Sequence, residues 1–117
     1  MLIADDDPLI LRLLQITLGQ AGHDVSTATD GREALEMITE ALPDLVVLDG
    51  MMPELDGLEV LRLLKADPAT AALPVVLMTA RSEEDDVTTG RNLGAAEYLV
   101  KPFPPADLLA IVDRLSG

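Results

Sequence analysis

Cysteine is absent from the 117-residue chain, and histidine occurs once, at His23. The missing cysteines exclude disulfide scaffolds, thiolate nucleophiles and cysteine-ligated zinc. A single histidine argues against histidine-rich metal sites and against most Ser-His-Asp triads. Aromatic residues make up only 2% of the sequence. Several common kinds of catalytic, metal and cofactor site are therefore excluded or disfavoured before any motif is considered.

Basic residues are also scarce. Eight lysines and arginines stand against 21 aspartates and glutamates, so the formal net charge is −13. A domain this acidic is repelled by nucleic acid and by anionic lipid, and we expect neither as a direct partner. No apolar run approaches the length of a membrane span, and the first residues lack the basic start of a signal peptide. We therefore expect a cytoplasmic protein.

Apolar residues, by contrast, make up 49% of the chain, enough for the core of one domain spanning residues 1–117. Strands are predicted at residues 2–4, 24–28, 45–48, 75–79 and 98–100. The third and fourth are continuously apolar, as strands are when both faces of a parallel sheet are covered. With helical patterns between them, the sequence predicts an α/β fold: a doubly wound (βα)5 domain with a five-stranded parallel sheet.

Helix starts are marked by aspartates. The first helix is expected to begin after Asp7, a capping residue followed by proline, and to end at Gly22. Asp30 and Asp56 each precede a glutamate by three residues, which resembles a capping box. A fourth helix is predicted from Ser82 to just before residue 94, and a fifth over residues 105–115.

Charged and polar residues follow the strands at their carboxyl ends, where ligands bind in doubly wound sheets. Asp5 and Asp6 follow the first strand, Asp49 the third and Lys101 the fifth, while Thr79 ends the fourth. Three carboxylates at one edge cannot all ionise cheaply without a counter-charge. Mg²⁺, or Mn²⁺ as the alternative ion, would supply that charge, since hard cations prefer carboxylate and water oxygens.

Such a cluster is suited to phosphoryl chemistry. A carboxylate beside Mg²⁺ can act as a nucleophile toward phosphorus and form an aspartyl phosphate. Lys101 and Thr79 could contact further phosphoryl oxygens, by charge and by hydrogen bond respectively. Each of these residues alone has an ordinary structural explanation, so the convergence of all of them carries the prediction.

Five sequence motifs then point to a known family. They are LIADDDP at residues 2–8, PDLVVLD at 43–49, MPELDG at 52–57, PVVLMTA at 74–80 and GAAEYLVKPF at 94–103. In order, spacing and identity, the chain resembles the receiver domain of bacterial two-component response regulators, including the chemotaxis regulators. The resemblance implies a flavodoxin-like sheet in the order 2-1-3-4-5.

The resemblance also implies a phosphorylation switch that signals rather than turns over a substrate. Asp49 matches the phosphoacceptor, which takes its phosphoryl group from a sensor histidine kinase or a histidine phosphotransferase. Asp5 and Asp6 match the acidic pair that holds Mg²⁺, with Asp49 and the backbone carbonyl of Met51 as the other protein ligands. The partners so implied are the kinase, an output domain or effector protein, and a second copy in a phosphorylation-dependent homodimer.

The remaining matched positions belong to the switch. Lys101 matches the active-site lysine, and its peptide bond to Pro102 is expected to be cis. Thr79 matches the hydroxyl that moves toward the phosphoryl group, and Tyr98 the aromatic ring that moves with it. In the family these residues bias a surface formed by the fourth helix, the fifth strand and the fifth helix.

Two other functions share parts of this pattern. A phosphatase with an aspartate nucleophile would usually carry a second acid two residues later, where this chain has Met51. A flavodoxin-like cofactor carrier would need a phosphate-binding loop after the first strand and aromatic side chains around a flavin. The chain has only Tyr98 and Phe103 for the second role. Turnover of a phosphate ester would favour the first alternative, and a coloured protein the second.

Overall fold

The order of the strands in the sheet places the candidate residues at one edge. In a computed structural model, residues 1–52, 54–80 and 94–116 are described. Their elements are β1 (Leu2–Ala4), α1 (Pro8–Gln20), β2 (Ser26–Ala28), α2 (Gly31–Glu40), β3 (Val46–Asp49), α3 (Gly57–Ala66), β4 (Val75–Ala80), β5 (Glu97–Lys101) and α4 (Pro105–Ser116). All strand pairs are parallel, in the order β2-β1-β3-β4-β5. The predicted doubly wound fold is confirmed.

Of the last two predicted helices, one lies within the described residues. Helix α4 is the fifth helix of the sequence prediction, and its observed start at Pro105 agrees with that prediction. The helix predicted to start at Ser82 lies outside the described residues. Within the described ranges, no helix has both the length and the hydropathy that spanning a membrane would require.

Strand β2 is shorter than predicted. It begins at Ser26, whereas the sequence predicted a start at residue 24. In the described sheet β2 pairs with β1 alone, and β1 has three residues, with Leu2 opposite Ser26. The two residues before Ser26 therefore have no strand to pair with, which the sequence pattern could not show.

Strands β3, β4 and β5 reach further toward the candidate site than predicted. β3 is shifted by one residue and ends at Asp49, which pairs with Met78 of β4. β4 and β5 each extend one residue further, to Ala80 and Lys101, which are opposite each other. Asp49 and Lys101 are thus held by strand pairing, whereas the sequence placed them just beyond the strands.

Three aspartates begin helices as predicted. Asp7, Asp30 and Asp56 precede α1, α2 and α3, and each side chain accepts a hydrogen bond from a first-turn amide at 2.7–2.9 Å. These bonds satisfy amides that have no partner within the helix. Gly22 follows α1 with φ +96°, a left-handed conformation that favours glycine. The caps fix where each helix leaves the carboxyl edge of the sheet.

The sheet is covered on both faces, as the apolar strands predicted. Val46 and Leu48 of β3 belong to one buried cluster, and Val47 belongs to the other. All four residues of β3 are buried. At about 25 cal/mol per Å² of buried apolar surface, this two-sided core supplies the main stabilisation of the central strands.

Candidate functional site

Three carboxylates meet at the carboxyl edge of β1 and β3. Asp5 follows β1 and is fully buried, Asp49 ends β3 and is 6% exposed, and Asp6 is exposed. One carboxylate oxygen from each lies within 4.8 Å of the others. They come together because β1 and β3 are neighbours, with Ala4 opposite Leu48. The structure therefore groups the three acids that the sequence assigned to one site.

Lys101 supplies the positive charge at this cluster. Its Nζ donates to Asp5 Oδ2 at 2.8 Å and lies 3.2 Å from Asp49 Oδ2. Since β5 is separated from β3 by β4, the long lysine side chain has to reach across one strand. The peptide bond from Lys101 to Pro102 is cis, as the resemblance implied.

The charges at the site do not balance. Burial, reinforced by the negative charge of Asp5, raises the pKa of Asp49 to about 6, while Lys101 and a backbone amide act in the opposite direction. Burial alone would lower the pKa of Lys101, but the hydrogen bond to Asp5 and the nearby carboxylates raise it above its usual value. Lys101 therefore stays an ammonium group, and one positive charge faces up to three negative ones.

This imbalance is what a divalent cation would relieve. The three acids offer only oxygen donors, and hard cations such as Mg²⁺ select oxygen over nitrogen and sulfur. Asp6 is exposed at the rim, so the group has access to solvent on one side. The donor set, its spacing and its charge all fit Mg²⁺ or Mn²⁺.

The loop after β3 contributes backbone groups. The amide of Met51 donates to Asp49 Oδ1 at 3.3 Å, and the amide of Gly50 donates to the carbonyl of Met78 at 2.7 Å. The resemblance implied that the Met51 carbonyl is a metal ligand, and the contact made by the Met51 amide was not anticipated. Met51 is 62% exposed, and the contact with Asp49 is made by its backbone amide.

Gly57 is a site residue that sequence reasoning missed. Its amide donates to the Gly50 carbonyl at 3.2 Å, and a β-carbon on it would lie 2.2 Å from the carbonyl oxygen of Asp49. Only glycine allows the start of α3 to come this close to the Asp49 backbone. The available signal was the position of this glycine directly after the capping residue Asp56.

Thr79 and Tyr98 lie on the two strands beyond β3. Thr79 is fully buried, and its Oγ1 has no hydrogen-bond partner among the described residues. A buried hydroxyl without a partner is costly and favours a ligand or a rearrangement that would satisfy it. Tyr98 pairs with Leu77 and packs, half-buried, against the core cluster that contains Leu77.

The sequence of this chain matches a known protein family. The family model for the response regulator receiver domain matches residues 1–113. The chain belongs to this family. Receiver domains are generally regulatory rather than catalytic, and the acidic cluster found here is a group that could bind a metal ion.

The relatives of this receiver domain are longer proteins. The alkaline phosphatase synthesis transcriptional regulatory protein PhoP of Bacillus subtilis is 44% identical over 115 residues, which cover 98% of this chain and 47% of PhoP. The DNA-binding response regulator MtrA of Mycolicibacterium smegmatis is 41% identical over 112 residues, or 96% of this chain and 48% of MtrA. The chain thus spans about half the length of these relatives.

Solved structures share the fold closely. The chemotaxis protein CheY4 of Vibrio cholerae is 33% identical with a TM-score of 0.89, and the match covers 97% of this chain and 95% of CheY4. The signal receiver domain of a histidine kinase from Syntrophus aciditrophicus is 34% identical with a TM-score of 0.91, covering 97% and 86%. The receiver fold therefore occurs in a chemotaxis protein and in a kinase, and the fold alone does not identify the output.

Proposed function

We propose that this receiver domain accepts a phosphoryl group on Asp49 from a phosphohistidine of a sensor histidine kinase or a histidine phosphotransferase. The observation that carries the proposal is the Asp49 carboxylate, grouped with Asp5, Asp6 and the ammonium group of Lys101 at the edge of the sheet. An Asp49 oxygen forms a bond to phosphorus while the nitrogen–phosphorus bond of the donor breaks. The electron pair of that bond returns to the imidazole nitrogen.

Lys101 and Thr79 are assigned to the phosphoryl oxygens. Lys101 already lies 3.2 Å from Asp49, so its charge is in place before the phosphoryl group arrives and needs little reorganisation. The Thr79 hydroxyl is buried and has no partner within the described part of the chain, so it can donate a new hydrogen bond. We propose that Tyr98, on the neighbouring strand, moves with Thr79 and alters the surface formed by β5 and the C-terminal helix.

Mg²⁺, or Mn²⁺ in its place, would be held by Asp5, Asp6, Asp49 and the backbone carbonyl of Met51. When bound, such an ion supplies positive charge that offsets the charge on the phosphoryl oxygens. The chain's own part is to hold the three carboxylates within 4.8 Å of one another and to keep Lys101 beside two of them.

The domain is proposed to be a cytoplasmic switch and not an enzyme with an external substrate. The position two residues after Asp49 holds Met51, which has no acidic proton for a leaving group. The phosphorylated domain would act through an output domain, an effector protein or a second copy of itself. With a net charge of −13, the domain is not proposed to contact DNA directly.

Phosphorylation by a small donor tests the assignment. The chain is incubated with acetyl phosphate and Mg²⁺, and its intact mass is measured. We expect one added phosphoryl group, which is lost in Asp49→Asn and retained in Asp56→Asn, since Asp56 caps α3 and asparagine also serves as a cap. An adduct that persists in Asp49→Asn would contradict the assignment, as would no adduct on the unsubstituted chain.

A further inference from the structure

Gly31 begins helix α2 at a point where the loop between β3 and α3 lies directly against it. The residue is buried, and a β-carbon on it would lie 1.7 Å from the carbonyl oxygen of Leu55 and 3.0 Å from Cγ2 of Val60. Its φ lies outside the left-handed region. Among the described glycines, Gly22 and Gly94 are the two with a left-handed φ. Glycine is therefore needed at position 31 for space and not for backbone conformation.

Besides this contact, two further features hold the β3–α3 loop in place near Gly31. The Leu55 side chain packs against the buried cluster that contains Val60. Glu54, just before it, has φ +68°, a left-handed conformation that is uncommon for residues with a β-carbon. Such a conformation persists where the surrounding structure determines it. The position of the Leu55 carbonyl is thus closely set by its neighbours.

The same loop is fixed to the phosphoacceptor on its other side. Gly57, two residues after Leu55, donates to the Gly50 carbonyl at 3.2 Å and lies against the Asp49 backbone. Met51, on the same loop, donates its amide to Asp49 Oδ1 at 3.3 Å. A displacement of Leu55 would therefore be transmitted to groups in direct contact with Asp49.

We propose that Gly31 is a positioning residue for the phosphorylation site. By allowing Leu55 to lie against α2, it sets the position of the β3–α3 loop and so of the Met51 amide on the Asp49 carboxylate. A β-carbon at position 31 would force the Leu55 carbonyl from 1.7 Å to at least 3.0 Å away. The kinetic consequence rests on the function proposed above, whereas the structural consequence does not.

The test compares Gly31→Ala with the unsubstituted chain by two measurements. NMR amide chemical shifts of Gly50 and Met51 report the loop position without any phosphoryl donor or metal ion, and we expect both to change. The rate of phosphorylation by acetyl phosphate should fall about tenfold, because displacements near 1 Å can cost that much or more in rate. If the unsubstituted chain takes no phosphoryl group, the proposed function fails while the shifts still test the positioning role.

Two control variants separate positioning from stability. Gly19→Ala makes the same chemical change in α1, where a β-carbon meets nothing within 4 Å, and should alter neither measurement. Ile38→Val lowers stability from a buried position on α2 itself and should also leave both unchanged. If Gly31→Ala does not fold, Leu55→Ala removes the side-chain packing that holds the same loop against the cluster containing Val60. Unchanged Gly50 and Met51 shifts in a folded Gly31→Ala or Leu55→Ala chain would overturn the proposal.

Discussion

At the scale of single residues, Asp49 is a carboxyl group that burial and a negatively charged neighbour make harder to ionise. Its side chain ends a buried strand beside Asp5, and both features favour the protonated acid, although Lys101 lies 3.2 Å away. At neutral pH the carboxylate is nevertheless largely ionised, because its pKa is about 6. The folded domain therefore contains a carboxylate in an unfavourable setting, which is also one poised to react or to bind a cation.

This setting makes the stability of the domain depend on pH at one residue. The pKa of Asp49 is raised from 3.8 to about 6 on folding, so the residue contributes stability at low pH that is lost as the pH rises through 6. Asn cannot ionise and avoids this loss. Without divalent cations, we expect Asp49→Asn to increase the free energy of unfolding by about 2 kcal/mol more near pH 7.5 than near pH 4.5.

Urea unfolding at the two pH values provides the measurement. Asp56→Asn serves as the control, because it removes an exposed carboxylate while keeping a helix cap, and its effect should not vary in this way. An Asp49→Asn effect that is equal at both pH values, or larger at the lower one, would show that Asp49 is not destabilised in its ionised form.

At the scale of secondary-structure elements, the sequence predicted what depends on local patterns. The capping aspartates Asp7, Asp30 and Asp56, the apolar strands and the alternation of the described strands and helices all follow from neighbouring residues, and the structure confirms them. Strand limits were less predictable, because β2 starts only where its partner β1 starts and β3 extends to Asp49 through pairing with Met78.

The candidate site also has features that the sequence could predict and features that it could not. The grouping of Asp5, Asp6 and Asp49 follows from parallel strands that end at one edge of the sheet, so the pattern of strands in the sequence could predict it. The close approaches at Gly31 and Gly57 depend on how two loops and two helices pack, and no spacing in the sequence encodes those distances. The sequence pattern therefore does not determine the packing contacts between segments that are far apart along the chain.

Helix α1 carries an apolar surface beside the site. Leu9, Leu13 and Ile16 are 77%, 53% and 48% exposed, and Leu13 lines an apolar groove of about 250 Å³ together with Lys101 and Phe103. Lys101 also contacts Asp49, so a protein that brings a phosphohistidine to Asp49 has to come close to this groove. If Asp49 is phosphorylated as proposed above, we predict that the phosphoryl-donor protein covers this groove.

If the donor protein covers this groove, a substitution in the groove should slow phosphorylation by protein donors and leave phosphorylation by small donors unchanged. In Leu13→Ser, phosphotransfer from a histidine kinase that phosphorylates the unsubstituted chain should be about tenfold less efficient, since loss of an interface anchor costs upward of 1 kcal/mol. Phosphorylation by acetyl phosphate should be unchanged. Leu42→Ser removes another exposed leucine, 60% exposed and just after α2, and should affect neither reaction. Equal transfer rates to the Leu13 and Leu42 variants would argue against the groove as the docking surface.

At the scale of the whole molecule, the net charge of −13 has two components. Most of the acidic residues that the structure describes are at exposed positions, where salt of any kind screens their mutual repulsion and stabilises the fold. Asp5, Asp6 and Asp49 are different, because their oxygens converge within 4.8 Å and Lys101 offsets only part of their charge, so an ion bound among them would offset the rest. The two components should therefore respond differently to monovalent and divalent cations.

Unfolding at equal ionic strength separates the two responses. We expect ~10 mM MgCl₂ to raise the free energy of unfolding by about 1 kcal/mol more than ~30 mM NaCl, because binding to the folded state adds to screening. Asp6→Asn should abolish this excess, since it removes one exposed member of the cluster. Asp7→Asn, the adjacent residue, keeps a cap on α1 and lies outside the cluster, so the excess should remain. Because both variants remove one negative charge from neighbouring positions, a loss of the excess in both would assign it to net charge, and only a loss confined to Asp6→Asn assigns it to a metal site.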